Sequence, residues 1–180
     1  MNSKEYTDLL IGGGIGIIAT DTIYGIIGQA LKPATVQRIY TVKRRTPTKP
    51  FIILISNLLE LGSFGITIDE TVQTAAITYW PGPVSIIIDC PHDDFEYLHR
   101  GTKTLAFRMP AKPELHDLIT LTGPLVAPSA NPEGFMPSAT IDEAKAYFTD
   151  EVDFYNEGIV RTKPSKIIRI TDGREEIIRA

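Results

Sequence analysis

The sequence predicts an α/β fold: a twisted sheet of mixed parallel and antiparallel strands with flanking helices. Apolar runs of strand length alternate with helical segments early in the chain, and strand-like runs cluster late. The 180 residues are 43% hydrophobic and 22% charged, the size and composition of one ordinary domain. A chain of that length buries a core without disulfides or metals, so residues 1–180 are read as a single domain.

Taken in order, residues 3–10 read as a short amphipathic helix capped by Asn2 or Ser3. Residues 15–19 are a buried strand entered through the glycines at 12–14. Pro33 fits a first helical turn, where its missing N–H costs nothing, and the helix continues over 34–44. Residues 51–55 form an apolar strand, and a helix over 69–80 is stopped by Pro81-Gly82-Pro83. Strands follow at 84–88 and 104–108, a helix at 113–120, and a short strand at 125–127 that leaves into a loop at Pro128. A helix over 141–148 carries Thr140 as its cap and Glu143 to complete a capping box. Residues 166–170 and 176–179 close the chain as a hairpin around Asp172-Gly173.

The net charge is −4, which argues against a general nucleic-acid coat protein. The distribution says more. Residues 22–59 contain no acid but carry Lys32, Arg38, Lys43, Arg44, Arg45 and Lys49, whereas residues 50–99 contain no Lys or Arg. A cationic pocket in an acidic protein suits a small polyanion such as a nucleoside triphosphate, and a solvated helix face is the plainer alternative. The single cysteine, Cys90, allows no disulfide within the chain. The N-terminus is polar, and no apolar run approaches the ~20 residues that span a bilayer. A cytoplasmic location without membrane contact is therefore expected.

Gly14-Ile15-Gly16 resembles a dinucleotide fingerprint only superficially, because its glycines precede the strand instead of opening a helix. No P-loop pattern occurs, His92, His99 and His116 lack ligand spacing, and Ser129 has no nucleophile elbow around it. No protein metal site is expected. Four segments do look chemical. Residues 19–25 put hydroxyls directly after a buried strand, where open α/β sheets bind ligands, although Asp21 or Thr22 could equally cap a following element. Lys43-Arg44-Arg45 with Lys49 places more cations on a short loop than a helix C-terminus needs for its dipole. Arg108 ends an apolar strand and requires a carboxylate or phosphate partner, from a ligand or from the protein itself. Pro128-Ser129-Ala130-Asn131, followed by Gly134 and Ser138, offers hydroxyl, amide and backbone donors for a phosphate, or an Asx-type turn.

Together and in this order, the segments resemble the YrdC/TsaC-like family of threonylcarbamoyl-AMP synthases. The matching motifs are Thr20-Asp21-Thr22-Ile23-Tyr24-Gly25, Lys43-x-Arg45-x-x-x-Lys49-Pro50, Trp80-Pro81-Gly82-Pro83, Arg108-Met109-Pro110 and Ser129-Ala130-Asn131-x-x-Gly134. Asn156-x-Gly158 and Lys163-Pro164-Ser165 look like the family's closing segment. The length resembles the short, single-domain form. Leu54 stands where longer members often have a His near threonine, Ser85 replaces the usual Thr, and Lys166-Ile167-Ile168-Arg169 replaces the common Thr-Val-Val-Asp.

The resemblance implies a concave cationic cavity and a reaction that joins L-threonine, bicarbonate or CO₂, and ATP into threonylcarbamoyl-AMP and pyrophosphate, for threonylcarbamoyladenosine modification of tRNA. On this reading Lys43, Arg45, Ser129 and Asn131 are catalytic. Lys43, Arg45, Lys49, Ser129, Asn131 and Ser138 hold ATP, while Thr22, Arg108 and Ser165 hold threonine. Mg²⁺ travels on the phosphates. A transferase complex receives the product transiently, and tRNA itself is at most a weak contact. The spacing of Lys43 and Arg45 further suggests an extended segment that turns both into the cavity and Arg44 to solvent. Two other readings stand beside this one: a YciO-like paralogue, and a non-catalytic module that grips RNA with the basic stretch.

Overall fold

A computed structural model of the protein describes residues 3–161, 163–171 and 174–180. Helix α1 (Ser3–Ile11) leads into strands β1 (Gly16–Ala19) and β2 (Tyr24–Gln29), then helix α2 (Pro33–Val42) and strand β3 (Ile52–Leu54). A 3₁₀ helix at Leu58–Phe64 precedes α3 (Glu70–Tyr79), β4 (Val84–Asp89), α4 (Glu96–His99) and β5 (Thr104–Arg108). The remainder comprises α5 (Pro113–Thr122), β6 (Leu125–Val126), α6 (Ile141–Phe148), β7 (Phe154–Asn156), β8 (Lys166–Thr171) and β9 (Arg174–Arg179). Among the described residues the strands form one nine-stranded sheet in the order β7-β1-β2-β6-β3-β5-β4-β8-β9. The pairs β1–β7, β3–β5 and β4–β8 are parallel, and β1–β2, β4–β5 and β8–β9 are antiparallel. This is the mixed sheet that the sequence predicts.

Alternation along the strands fills both faces. Ile17, Ile26 and Ile53 enter a large core, whereas their neighbours Ile18, Ile27 and Leu54 join a second cluster with Leu10 of α1 and Leu115 and Ile119 of α5. Leu54 is fully buried in that second cluster. Helix α6 begins as predicted: Thr140 accepts from the Glu143 amide at 3.2 Å. Glu143, however, reaches back to the Ala139 amide at 2.7 Å, one residue before the cap.

Several elements depart from the sequence reading, the short helix α4 among them. Residues 20–25 do not run on as a strand-end loop: β1 turns at Thr20 to Ile23 and returns as β2, antiparallel to it. Two glycines, Gly25 and Gly28, weaken the apolar signal of β2. Strand β7 is only three residues long, and the 3₁₀ helix is announced only by Asn57, whose side chain accepts from the Leu59 amide at 3.0 Å. The cap proposed at Asn2 or Ser3 and the Asp172-Gly173 turn lie outside the described residues or side chains, although β8 and β9 do pair as a hairpin.

Gly16 lies inside β1, so the glycines around it serve packing and not a dinucleotide. A Cβ there would sit 2.2 Å from Cζ of Phe154, whose ring covers the strand and meets Tyr6 at 4.8 Å. Gly16→Ala is expected to lower stability by about 1–3 kcal/mol, the usual cost of overpacking a filled core. Urea unfolding would show a lower midpoint at unchanged slope, and an unchanged midpoint would refute the packing argument.

Candidate active site

A cavity of about 220 Å³ opens where six chain segments meet. The β1–β2 turn contributes Thr20, Thr22 and Tyr24, the chain after α2 contributes Arg45 and Phe51, and the end of β5 contributes Arg108. Ser129 comes from the loop after β6, Ser165 from just before β8, and Arg179 from the end of β9.

The β1–β2 turn is locked by its own hydroxyls. Thr20 Oγ1 donates to the Ile23 carbonyl at 2.6 Å, accepts from the Thr22 amide at 3.1 Å, and lies 3.1 Å from Thr22 Oγ1. Asp21 is thereby aimed at Arg108, which donates to its Oδ1, while Oδ2 accepts from the Ala111 amide at 3.2 Å. The side chains of the pair are 4% and 10% exposed, so this is a buried ion pair. Arg108 therefore takes its partner from the protein, and part of its fork is already committed. It still lines the cavity, and its Nε has no partner among the described residues.

The chain after α2 is not extended. Lys43 ends the helix in right-handed conformation and Arg44 turns left-handed, with φ 50°. The Arg44 amide bonds to the Thr41 carbonyl and the Arg45 amide to the Tyr40 carbonyl, both at 3.0 Å, which is a Schellman cap. The predicted directions nonetheless hold for the two arginines. Arg45 lines the cavity beside Phe51, 5.4 Å from its ring centroid, while Arg44 is 60% exposed and pairs with Glu151 at 3.3 Å. Lys43 differs from the expectation. It does not line the cavity, and its ammonium is buried against the carbonyls of Ser129 and Asn131.

Of the residues expected to hold phosphate, Arg45 and Ser129 line the cavity. Asn131 instead staples its own loop, donating to the Pro132 carbonyl at 3.0 Å and the Phe135 carbonyl at 2.8 Å. Ser138 donates to the Ala130 carbonyl at 2.5 Å. Lys49 is held by Glu133. The three residues expected to hold threonine, Thr22, Arg108 and Ser165, all line the cavity. Ser85, an unusual residue in the motif, lies 3.0 Å from Ser165 Oγ.

Sequence reasoning missed Arg179. Its guanidinium donates to the Ser165 carbonyl at 2.7 and 3.1 Å and to Ser165 Oγ at 3.2 Å. The expected closing hairpin held the signal, since β9 runs back along β8 and brings the last cation beside Ser165. Burial lowers the Arg179 pKa, and repulsion from Arg108 and Arg45 lowers it further. Burial likewise lowers Arg45, against the attraction of Tyr40 and Glu133. Lys43 is pushed down to about 7, first by burial and then by Arg45. Arg45, Arg108 and Arg179, crowded this way around one cavity, repel one another less when an anion lies between them.

Glu133 is held at about 2 instead of 4.5, first by the hydrogen bond from Lys49 and then by the amide and hydroxyl of Thr46. A depressed carboxyl stabilises the fold above its ordinary pKa, and that contribution is lost as pH falls from about 4.5 through about 2. Glu133→Gln should flatten the acid limb of the stability profile across that window. Parallel profiles for the two proteins would contradict the pairing.

The family model Sua5/YciO/YrdC, described as telomere recombination, matches residues 8–180. The chain is 30% identical over 169 residues to the threonylcarbamoyl-AMP synthase of Nitrosococcus oceani, covering 92% of this chain and 90% of that one. It is 33% identical over 150 residues to the Bacillus subtilis threonylcarbamoyl-AMP synthase, covering 82% of this chain but 42% of the relative. Pyrococcus abyssi Sua5 complexed with L-threonine superimposes with a TM-score of 0.90 at 26% identity, over 98% of this chain. This chain spans about half of that longer one, 53%. Escherichia coli YciO shares the fold, with a TM-score of 0.85 at 20% identity, over 98% of this chain and 87% of that one. A match over nearly the whole sequence, together with the same fold, shows that this chain belongs to the Sua5/YciO/YrdC family.

Proposed function

We propose that the protein is a threonylcarbamoyl-AMP synthase, an adenylyl-transferring enzyme that serves tRNA modification. The observation that carries this reading is the convergence of Thr22, Arg108 and Ser165 with Arg45, Ser129 and Arg179 on one small cavity. The first group suits an amino acid and the second a polyphosphate. Relatives of similar length that carry the synthase name support the same reading.

In this reading threonine's amine adds to CO₂ with loss of a proton, or takes the carboxyl of bicarbonate with loss of water, and an oxygen of the resulting carbamate attacks the α-phosphorus of ATP. The bond to the β-phosphate oxygen breaks, pyrophosphate leaves, and the mixed carbamate–AMP anhydride remains. Such a transfer needs positioning and charge neutralisation more than a strong base. Arg45 and Arg179 face the phosphates, Ser129 donates to them, and the remaining donors of Arg108 take threonine's carboxylate. Mg²⁺ would come bound to the phosphates of ATP and neutralise charge on the leaving pyrophosphate. Among the described residues no group of three His, Cys, Asp or Glu side chains could hold it without them. We place the reaction in the cytoplasm, where ATP and tRNA meet. Among the described residues no helix is long and apolar enough to cross a membrane. Passage of the product to a transferase complex belongs to the same proposal.

An RNA-gripping module is the weaker reading because the basic stretch is largely used internally. Arg38 bonds Asp153, Arg44 bonds Glu151, Lys49 bonds Glu133, and Lys43 is buried. Incubation with ATP, Mg²⁺, bicarbonate and threonine should release pyrophosphate only when threonine is present. Release without threonine, or none, overturns the synthase reading. Within it, Arg45→Ala should lose at least about tenfold in synthesis, because a charge-assisted bond contributes roughly 1.5–3 kcal/mol. Arg44→Ala should lose far less, since an exposed pair contributes at most about 1 kcal/mol. The reverse ranking in steady-state kinetics would require a different site.

A further inference from the structure

Lys43 is the only buried lysine among the described residues, 1% exposed, and no carboxylate there forms an ion pair with it. Its ammonium donates to the backbone carbonyls of Ser129 and Asn131, the second at 2.5 Å. Its own carbonyl accepts from the Glu133 amide at 2.9 Å. Three attachments within five residues thus fix the loop after β6 to the end of α2. Meanwhile Arg45, two residues on, lines the cavity and Lys43 does not.

Burying an ammonium is costly, and two neutral carbonyls compensate it less fully than a carboxylate would. The arrangement has a specific effect. Carbonyl oxygens carry partial negative charge, and carbonyls facing an anion site would repel its ligand. Lys43 holds two of them on its own side and neutralises them, beneath a loop whose Ser129 faces the cavity. The Ala130 amide, bonded to the Tyr24 carbonyl at 2.8 Å, fixes the same loop from the other side.

We infer that Lys43 is a positioning residue, which acts on the anionic substrate through the loop at 129–133 and does not touch phosphate. Its identification of that substrate as ATP rests on the synthase reading; the clamp itself does not.

The first test uses no ligand, so it decides the clamp even where the synthase reading fails. Lys43→Met should speed amide hydrogen exchange across 130–138 by about tenfold or more, the loss expected for a charge-assisted anchor. Amides of β5 and α5 should keep their rates. Lys43→Gln, which keeps a donor, should show a smaller change at the same amides and serves where the Met protein folds poorly. Unchanged exchange across 130–138 in both proteins overturns the inference, as does an equal increase everywhere.

The second test is a mutant cycle read by ATP and threonine dissociation constants. Lys43→Met should weaken ATP by about tenfold and leave threonine within about twofold. Added to Ser129→Ala it should cost less than its full amount, because the hydroxyl that the clamp positions is gone, whereas added to Arg45→Ala it should cost its full amount. A direct phosphate contact would instead cost about tenfold in every background. That outcome, or parallel weakening of both ligands, overturns the inference.

Discussion

Between Tyr40 and Arg45 the chain leaves α2 through a pair of backbone hydrogen bonds, with a non-glycine residue in left-handed conformation at the turn. That geometry determines where three consecutive cations go. Lys43, still helical, points into the interior. Arg44, at the turn, points to solvent. Arg45 emerges on the far side and borders the cavity. A continued helix would also have spread these side chains about one hundred degrees apart, but around the axis of α2 and without the turn that separates Arg45 from it. A left-handed non-glycine residue is strained by roughly 1–2 kcal/mol, and here the strain secures the division.

The cavity's electrostatics follow from the same region. Arg45, Arg108 and Arg179 share one small space, and the protein limits their repulsion in three different ways. Arg108 has a buried carboxylate, Asp21. Arg179 has the carbonyl and hydroxyl of Ser165. Arg45 rests on the carbonyls of Lys49 and Pro50 and on the Phe51 ring. Only the first involves a full opposite charge. Among the described residues, two of the three cations thus lack an ion-pair partner while each remains hydrogen-bonded, an arrangement less stable than an apolar filling would be.

Much of the fold was legible because its signals are local. Strand β4 follows its run of β-branched residues, helix α6 begins at its capping threonine, and the proline at 33 opens α2. Strand β2 was not legible, since its glycines are chosen for close approach to neighbouring chain and not for strand propensity. Among site residues, the three expected to hold threonine, Thr22, Arg108 and Ser165, come together on one cavity wall, each at the end of a strand or beside one. The phosphate group was recovered only in part. Charge pattern makes Lys43 and Arg45 look equivalent, and only the direction of a single turn separates a buried anchor from a cavity wall. Asp21 shows the same limit: its role depends on Arg108, 87 residues later.

The sheet's connectivity has a kinetic consequence. Gly16 pairs with Phe154 in one parallel ladder and Val84 with Lys166 in another, so the ladders that frame the cavity join distant parts of the chain. Loop-closure entropy makes such long-range pairing slow to form, while the helices and the β1–β2 and β8–β9 hairpins can form early. Ser165 and Arg179 stand beside Thr22 and Arg45 only with the β4–β8 ladder in place. A partly folded chain, whatever its secondary structure, therefore has no complete cavity. Ligand binding at this site reports on the globally folded state alone, and a ligand that fills it draws its stabilisation from the last contacts to assemble.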